Sequence, residues 1–397
     1  MSSTARIRRA AALSAAAAML AVSACAADEQ ESGSGGGGGE QGGGADIAEP
    51  VVTTYDGGVY ILDGTTLEVQ ADIPLEGFNR LNPAGDDRHV MVSTSEGFRV
   101  LDAVGGQLTD VTFGGAEPGH VVRHAGRTVL FTDGTGQVRS FDPHDLGDGT
   151  PETTEYTTEE PHHGVAVELE NGGMLVTLGD EEERNGIAIL DENREEVTRN
   201  ENCPGVHGES AAQGEAIAVG CEDGVLIYRD GKITKVDSPT EYGRIGNQAG
   251  SPESPIVLGD YKQDAGAELE RPTQIALVDT ESAELRRVDL PASYTFRSLA
   301  RGPEGEALVL GTDGRIHVVD PESGELTESI PVLDEEWSEP IEWQQPRPAL
   351  FVRGGTAYVS DPEKQQLHAV DLESGETTAT ADLEAAPNEL SGVVHAH

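Results

Sequence analysis

Short apolar runs closed by an acid recur along the chain from Val51 onward, among them Val59-Tyr60-Ile61-Leu62-Asp63, Phe98-Arg99-Val100-Leu101-Asp102 and Ile316-His317-Val318-Val319-Asp320. Eight such runs occur, and their closing aspartates stand 39 to 51 residues apart. A glycine turn such as Asp133-Gly134 or Asp313-Gly314 precedes most of them, and several lead into a second turn such as Glu373-Ser374-Gly375-Glu376. Runs this short, bounded by turns and free of a helical period, read as strands. Four short strands per repeat of this size is the pattern of β-propeller blades. The expected fold is all-β, a single propeller of eight blades, with seven as the alternative if one long repeat is irregular. The body opens in mid-repeat, with strands expected at 51–55, 58–63 and 67–72. Residues 388–397 then supply the innermost strand of that first blade, so N- and C-terminal strands share it and close the ring.

Ahead of the body, Arg6, Arg8 and Arg9 precede an apolar stretch, Ala10 to Val22, and then Ser23-Ala24-Cys25. The stretch is too short to span a bilayer and reads as an export signal. A cysteine behind small residues resembles a lipobox, with Cys25 as the lipidated residue; an ordinary signal peptide cut nearby is the alternative. Residues 26–48 are rich in Gly, Ser, Glu and Gln and read as a tether. The expected division is 1–24 signal peptide, 25–48 lipidated cysteine and tether, and 49–397 propeller.

Composition narrows the partners. The chain has 72 acidic and 26 basic residues and a formal charge of −46. Such a surface repels phosphate backbones and anionic bilayers, which excludes nucleic acid and leaves the lipid anchor as the only expected membrane contact. A monomer is expected.

Candidate chemistry lies in the innermost strands, which line a propeller's channel. Aligned by repeat, their first positions carry Arg80, His120, His163, His207, Arg244 and Arg297, then a vague stretch near Gln344–Arg347, and Ser391. Three successive blades thus place histidine at one equivalent position. Three imidazoles with an open or carboxylate fourth position is a zinc arrangement; polar histidines bonded only to backbone or water are the alternative. Glu209, two residues past His207, is a candidate carboxylate ligand or partner. His162 should point away from His163 unless a bulge intervenes, and is kept as a candidate. His124, four past His120, could share a second site near the other mouth with His395 and His397 of the closing strand. His89, His317, His368 and His144 are expected in packing or surface roles.

Beyond Cys25, the cysteines are Cys203 and Cys221. A hairpin centred at residue 212 sets them opposite each other, as a disulfide requires, and an exported chain favours one. Thiolate ligation of metal is the competitor. No Gly-x-Ser-x-Gly elbow, Walker loop, His-Glu-x-x-His or dinucleotide fingerprint is present.

Pro118-Gly119-His120-Val121-Val122-Arg123-His124, Pro161-His162-His163-Gly164 and Cys203-Pro204-Gly205-Val206-His207-Gly208-Glu209, followed by Gly220-Cys221-Glu222-Asp223-Gly224, resemble the AztD-type periplasmic zinc metallochaperones. The resemblance covers most of 50–397 and is sharpest from 118 to 228. It implies a non-enzymatic propeller that binds Zn²⁺ and hands it to the solute-binding protein of a zinc ABC importer. His120, His124, His163 and His207 are then near zinc, with Cys203–Cys221 as a bridge, in the periplasm or on the outer face of the cytoplasmic membrane. One departure is visible: the His- and Asp-rich early loop of such proteins has no counterpart, since Asp102 to Pro118 holds no histidine. Two other classes remain open on the residues alone. One is a metal-dependent propeller hydrolase of the lactonase kind, using a metal-bound water. The other is a protein-binding scaffold without metal.

Overall fold

A computed structural model describes residues 46–394. Its strands form eight sheets, seven of four strands and one of five, arranged as the blades of a propeller. In chain order the blades cover 51–75 with the closing strand, then 80–114, 118–157, 166–200, 207–237, 248–289, 299–331 and 350–382. We number them 1 to 8. Within each, consecutive strands pair antiparallel from the channel outward. The extra strand, Gly243–Arg244, runs parallel to Asp223–Arg229 at the edge of blade 5. Among the described residues the only helical turn is a 3₁₀ segment, Pro143–Asp148, and no helix is long and apolar enough to cross a membrane.

The sequence pattern follows from where each strand sits. Middle strands are covered on both faces by neighbouring blades, so they read as unbroken apolar runs; Ala216–Cys221 is buried at every position. Outer strands have one face in water and alternate, as Val69–Leu75 does. The apolar core is therefore divided into slabs between blades. One joins Phe131 of blade 3, Leu175 and Ile189 of blade 4, and Val219 of blade 5.

Closure occurs in blade 1, as the repeat pattern predicted, through a strand shorter than expected. Leu390–Gly392 pairs with Val51–Tyr55, Val52 facing Ser391. Asn388 and Glu389 add four bonds to Thr53 and Thr54, including Thr53 Oγ1 to the Glu389 carbonyl at 2.8 Å. His395 and His397 lie outside the described residues, as do Cys25, the signal segment and nearly all of the tether.

Cys203 and Cys221 form a disulfide, with Cα atoms 4.9 Å apart. The hairpin argument for it needs correction. The observed pairs Ser210–Ala218 and Ala212–Ala216 centre the turn on Gly214, not on 212. A regular ladder with that centre would carry Cys203 past Cys221. Two irregularities bring it back: a bulge between His207 and Glu209, and a turn at Pro204-Gly205 pinned by Glu222 N–H to the Pro204 carbonyl at 2.8 Å.

Candidate metal centre

His120, His163 and His207 come from blade 3, the approach to blade 4, and blade 5. Their ring centroids are 5.0 to 5.4 Å apart, and one nitrogen of each lies within 4.8 Å of the others. A tetrahedral zinc with Zn–N near 2.0–2.1 Å needs nitrogens about 3.4 Å apart. The trio would thus close by roughly 1 Å or more at its widest spacing to meet that geometry.

Each histidine sits beside a glycine, and local backbone explains two of the pairings. In the strand Pro118–His124 a bulge falls between Pro118 and Val121. A Cβ on Gly119 would stand 2.0 Å from Asp133 Oδ1. Glycine there leaves room for the Asp133 carboxylate, which accepts from His163 Nδ1 at 2.5 Å. Gly208 has φ +69, and a Cβ would meet the Gly246 carbonyl at 2.6 Å. That carbonyl accepts from His207 Nδ1 at 2.6 Å. Gly246 is itself held: Asp260, almost fully buried, accepts from the backbone of Gly246 at 2.6 Å and of Asn247 at 3.1 Å, and from the Asn247 side chain at 2.8 Å.

These contacts set the tautomers. A carbonyl only accepts, so His207 Nδ1 carries the proton and Nε2 keeps its lone pair; the carboxylate does the same for His163. Outer partners that fix a ring and leave Nε2 as the ligand atom are characteristic of metal-binding histidines. His120 lacks so close a partner; its Nδ1 is 3.7 Å from Glu209 Oε2, too long for a hydrogen bond. Burial, then the neighbouring His207 and His163, hold His120 well below the usual imidazole range. Burial and His163 hold His207 at about 3. Both are neutral and ready to ligate at pH 7. Burial raises the Glu209 carboxyl to about 8. The His163 side chain is 41% exposed and His120 20%, which makes His163 the outward member.

The other candidates are placed differently. His162 points away, and both its nitrogens are used: Nδ1 with the Glu160 carbonyl at 2.9 Å and Nε2 with the Thr177 hydroxyl at 3.0 Å. His124 stands apart from the trio, its Nδ1 donating to the Glu168 carbonyl at 2.8 Å and its Nε2 uncommitted. His89, His317 and His368 bond to Asp86, to Ser329 and Asp313, and to Thr380. Asp133, Gly246 and Asp260 escaped the sequence reading. Asp133-Gly134 registered only as a turn, and nothing in the pattern tied Asp260 or Gly246 to a histidine one blade away.

No family model matches the chain. It is 27% identical over 310 residues to the zinc chaperone AztD of Citrobacter koseri, covering 74% of this chain and 71% of that protein. The crystal structure of Citrobacter koseri AztD superposes with a TM-score of 0.74 at 22% identity, over 87% of this chain and 98% of that one. Its apo form gives 0.72 at 22% identity, over 87% and 96%. The dihydro-heme d1 dehydrogenase NirN, in complex with DHE, gives 0.61 at 14% identity over 88% of this chain and 76% of that one, a likeness of fold alone. The resemblance read from the histidine and cysteine motifs is thereby borne out, as is the eight-bladed fold.

Proposed function

We propose that the chain is an extracytoplasmic zinc carrier. It holds Zn²⁺ at His120, His163 and His207 and delivers it to the solute-binding protein of a zinc ABC importer. The observation that carries this reading is the trio itself: three imidazoles from three blades, two of them held with Nε2 free. Similarity to a zinc chaperone supports zinc as the cargo. His163, the outward member, is where metal would enter and leave. Glu209 stands beside His120 as the available carboxylate. A second, weaker site at His124 with His395 and His397 belongs to the same proposal.

The disulfide suits an oxidising compartment. In this reading residues 1–24 direct export, Cys25 carries lipid, and 25–48 tether the propeller at 49–397. The role is carriage rather than turnover: three neutral ligands with an open position suit a metal that must be released.

Competitive zinc titration beside a His120/His163/His207 triple alanine variant tests the site. Equal affinity in both proteins would refute it. Transfer is tested by mixing zinc-loaded protein with the solute-binding protein and, separately, with a chelator of equal affinity. Faster loss to the protein is expected; equal rates would rule out directed delivery.

A further inference from the structure

The blades that lack a histidine at the trio's level carry charge there. Arg80, Arg244, Arg297 and Arg347 occupy the approach to the inner strand in blades 2, 6, 7 and 8, and Glu389 occupies it in blade 1. One side of the mouth is thus three imidazoles, and the rest is four guanidiniums around one carboxylate. The side chains converge. Arg297 reaches past blade 8 to pair with Glu389 and donates to the Asn388 side-chain oxygen at 2.5 Å. Arg80 Nε lies 3.9 Å from the same Glu389. Arg297 and Arg347 both stack on Phe296, at 5.2 and 5.0 Å.

Charge at this mouth is unbalanced. Arg347 is satisfied by Glu339 at 2.5 Å and by the Glu342 carbonyl at 2.8 Å. Arg244 packs over Gly246, where a Cβ would meet its Nη2 at 3.0 Å, and makes no ion pair among the described residues. Arg80 and Arg297 share Glu389, and the Nε of each is buried without a hydrogen-bond partner. The Arg297 and Glu389 side chains are only 7% and 8% exposed. In a chain with 72 acids and 26 basic residues, an interior cluster of four arginines with two acids is against the grain of the composition. Unfilled guanidinium donors in a channel are the chemistry that recognises an oxyanion.

We propose that the arginine side of the mouth, centred on Arg80 and Arg297, is a seat for a small oxyanion such as a carboxylate or sulfate, and that anion and metal bind cooperatively. The physical link is Coulombic. Zinc on three neutral imidazoles adds two positive charges to a mouth already rich in guanidinium, and an anion there offsets them. Coupling of this kind is reciprocal, so each ligand tightens the other by the same factor. The coupling rests on the zinc-carrier reading; the anion seat does not.

The test uses sulfate and malonate as probes on the metal-free protein, by calorimetry and thermal melting, against sodium chloride at equal ionic strength. Saturable binding of at least one probe is expected, lost in Arg80→Gln and Arg297→Gln and kept in His163→Ala. Arg80, half-exposed, is the variant that should fold normally if Arg297→Gln does not. Preference for malonate would assign a carboxylate ligand, and preference for sulfate a tetrahedral oxyanion. No saturable binding of either, or binding that survives both arginine variants, overturns the seat. In the second arm zinc affinity is measured with and without saturating sulfate, and a tightening of roughly five-fold or more is expected. Unchanged affinity overturns the coupling. Failure of zinc binding alone would strike the carrier reading and leave the sulfate titration as an independent result.

Discussion

Asp133 and Gly246 each hold one imidazole by its Nδ1, and their neighbours decide how firmly. Asp133→Asn keeps the shape but weakens the charge-assisted bond that orients His163. Zinc affinity should fall about 10- to 100-fold, the usual cost of an outer partner, with the melting curve unchanged. Gly119→Ala should weaken zinc binding by a similar mechanism, because its Cβ would displace the Asp133 carboxylate; competitive titration reads both. Glu209 gives a pH signature. Its carboxyl is raised to about 8 by burial, against 4.5 when solvated. Between those values the folded state binds the extra proton, so stability of the metal-free protein falls as pH rises from about 5 to 8 and then levels. Glu209→Gln should flatten that decline and leave the variant the more stable at pH 9, as urea midpoints across pH would show. These outer residues were hard to read in the sequence because each acts on a histidine from another blade, and no spacing rule links such pairs.

At the scale of the element, blade 5 does most to position the site. Its first hairpin carries His207, the bulge at Gly208, Glu209, and the disulfide that anchors the approach through Cys203. Replacing both cysteines by serine should cost about 2–4 kcal/mol of stability. Because the bridge holds the segment leading to His207, zinc affinity should drop as well. A reducing agent added to the parent should reproduce both changes; a shift in melting alone, with zinc affinity intact, would show that the bridge does not position His207. The pairing of these cysteines was legible from the sequence, but the hairpin centre was misplaced by two residues. A bulge and a Pro-Gly turn are additions to a ladder that alternation alone does not register.

In the whole molecule the ring matters more than any blade. The three ligands belong to three sheets, so their separation depends on how those sheets are held around the channel. Removing residues 388–397 takes away the closing strand and Glu389, opens blade 1, and should abolish both the cooperative melting transition and tight zinc binding. Supplying a peptide of that sequence should restore part of each. Zinc in turn should stabilise the closed ring, by about 2.7 kcal/mol at a free concentration one hundred times the dissociation constant, as a rise in melting temperature absent from the His120/His163/His207 variant. The sequence by itself determined the strand content, the repeat, the closed ring and which three histidines share a level, because those follow from periodicities of two residues and of one blade. Tertiary structure alone decided that His162 turns inward to Thr177, that Asp133 and Gly246 fix their imidazoles, and that the arginines meet around Glu389. Each of these depends on distances between blades and on single bulges, which no repeat in the sequence encodes.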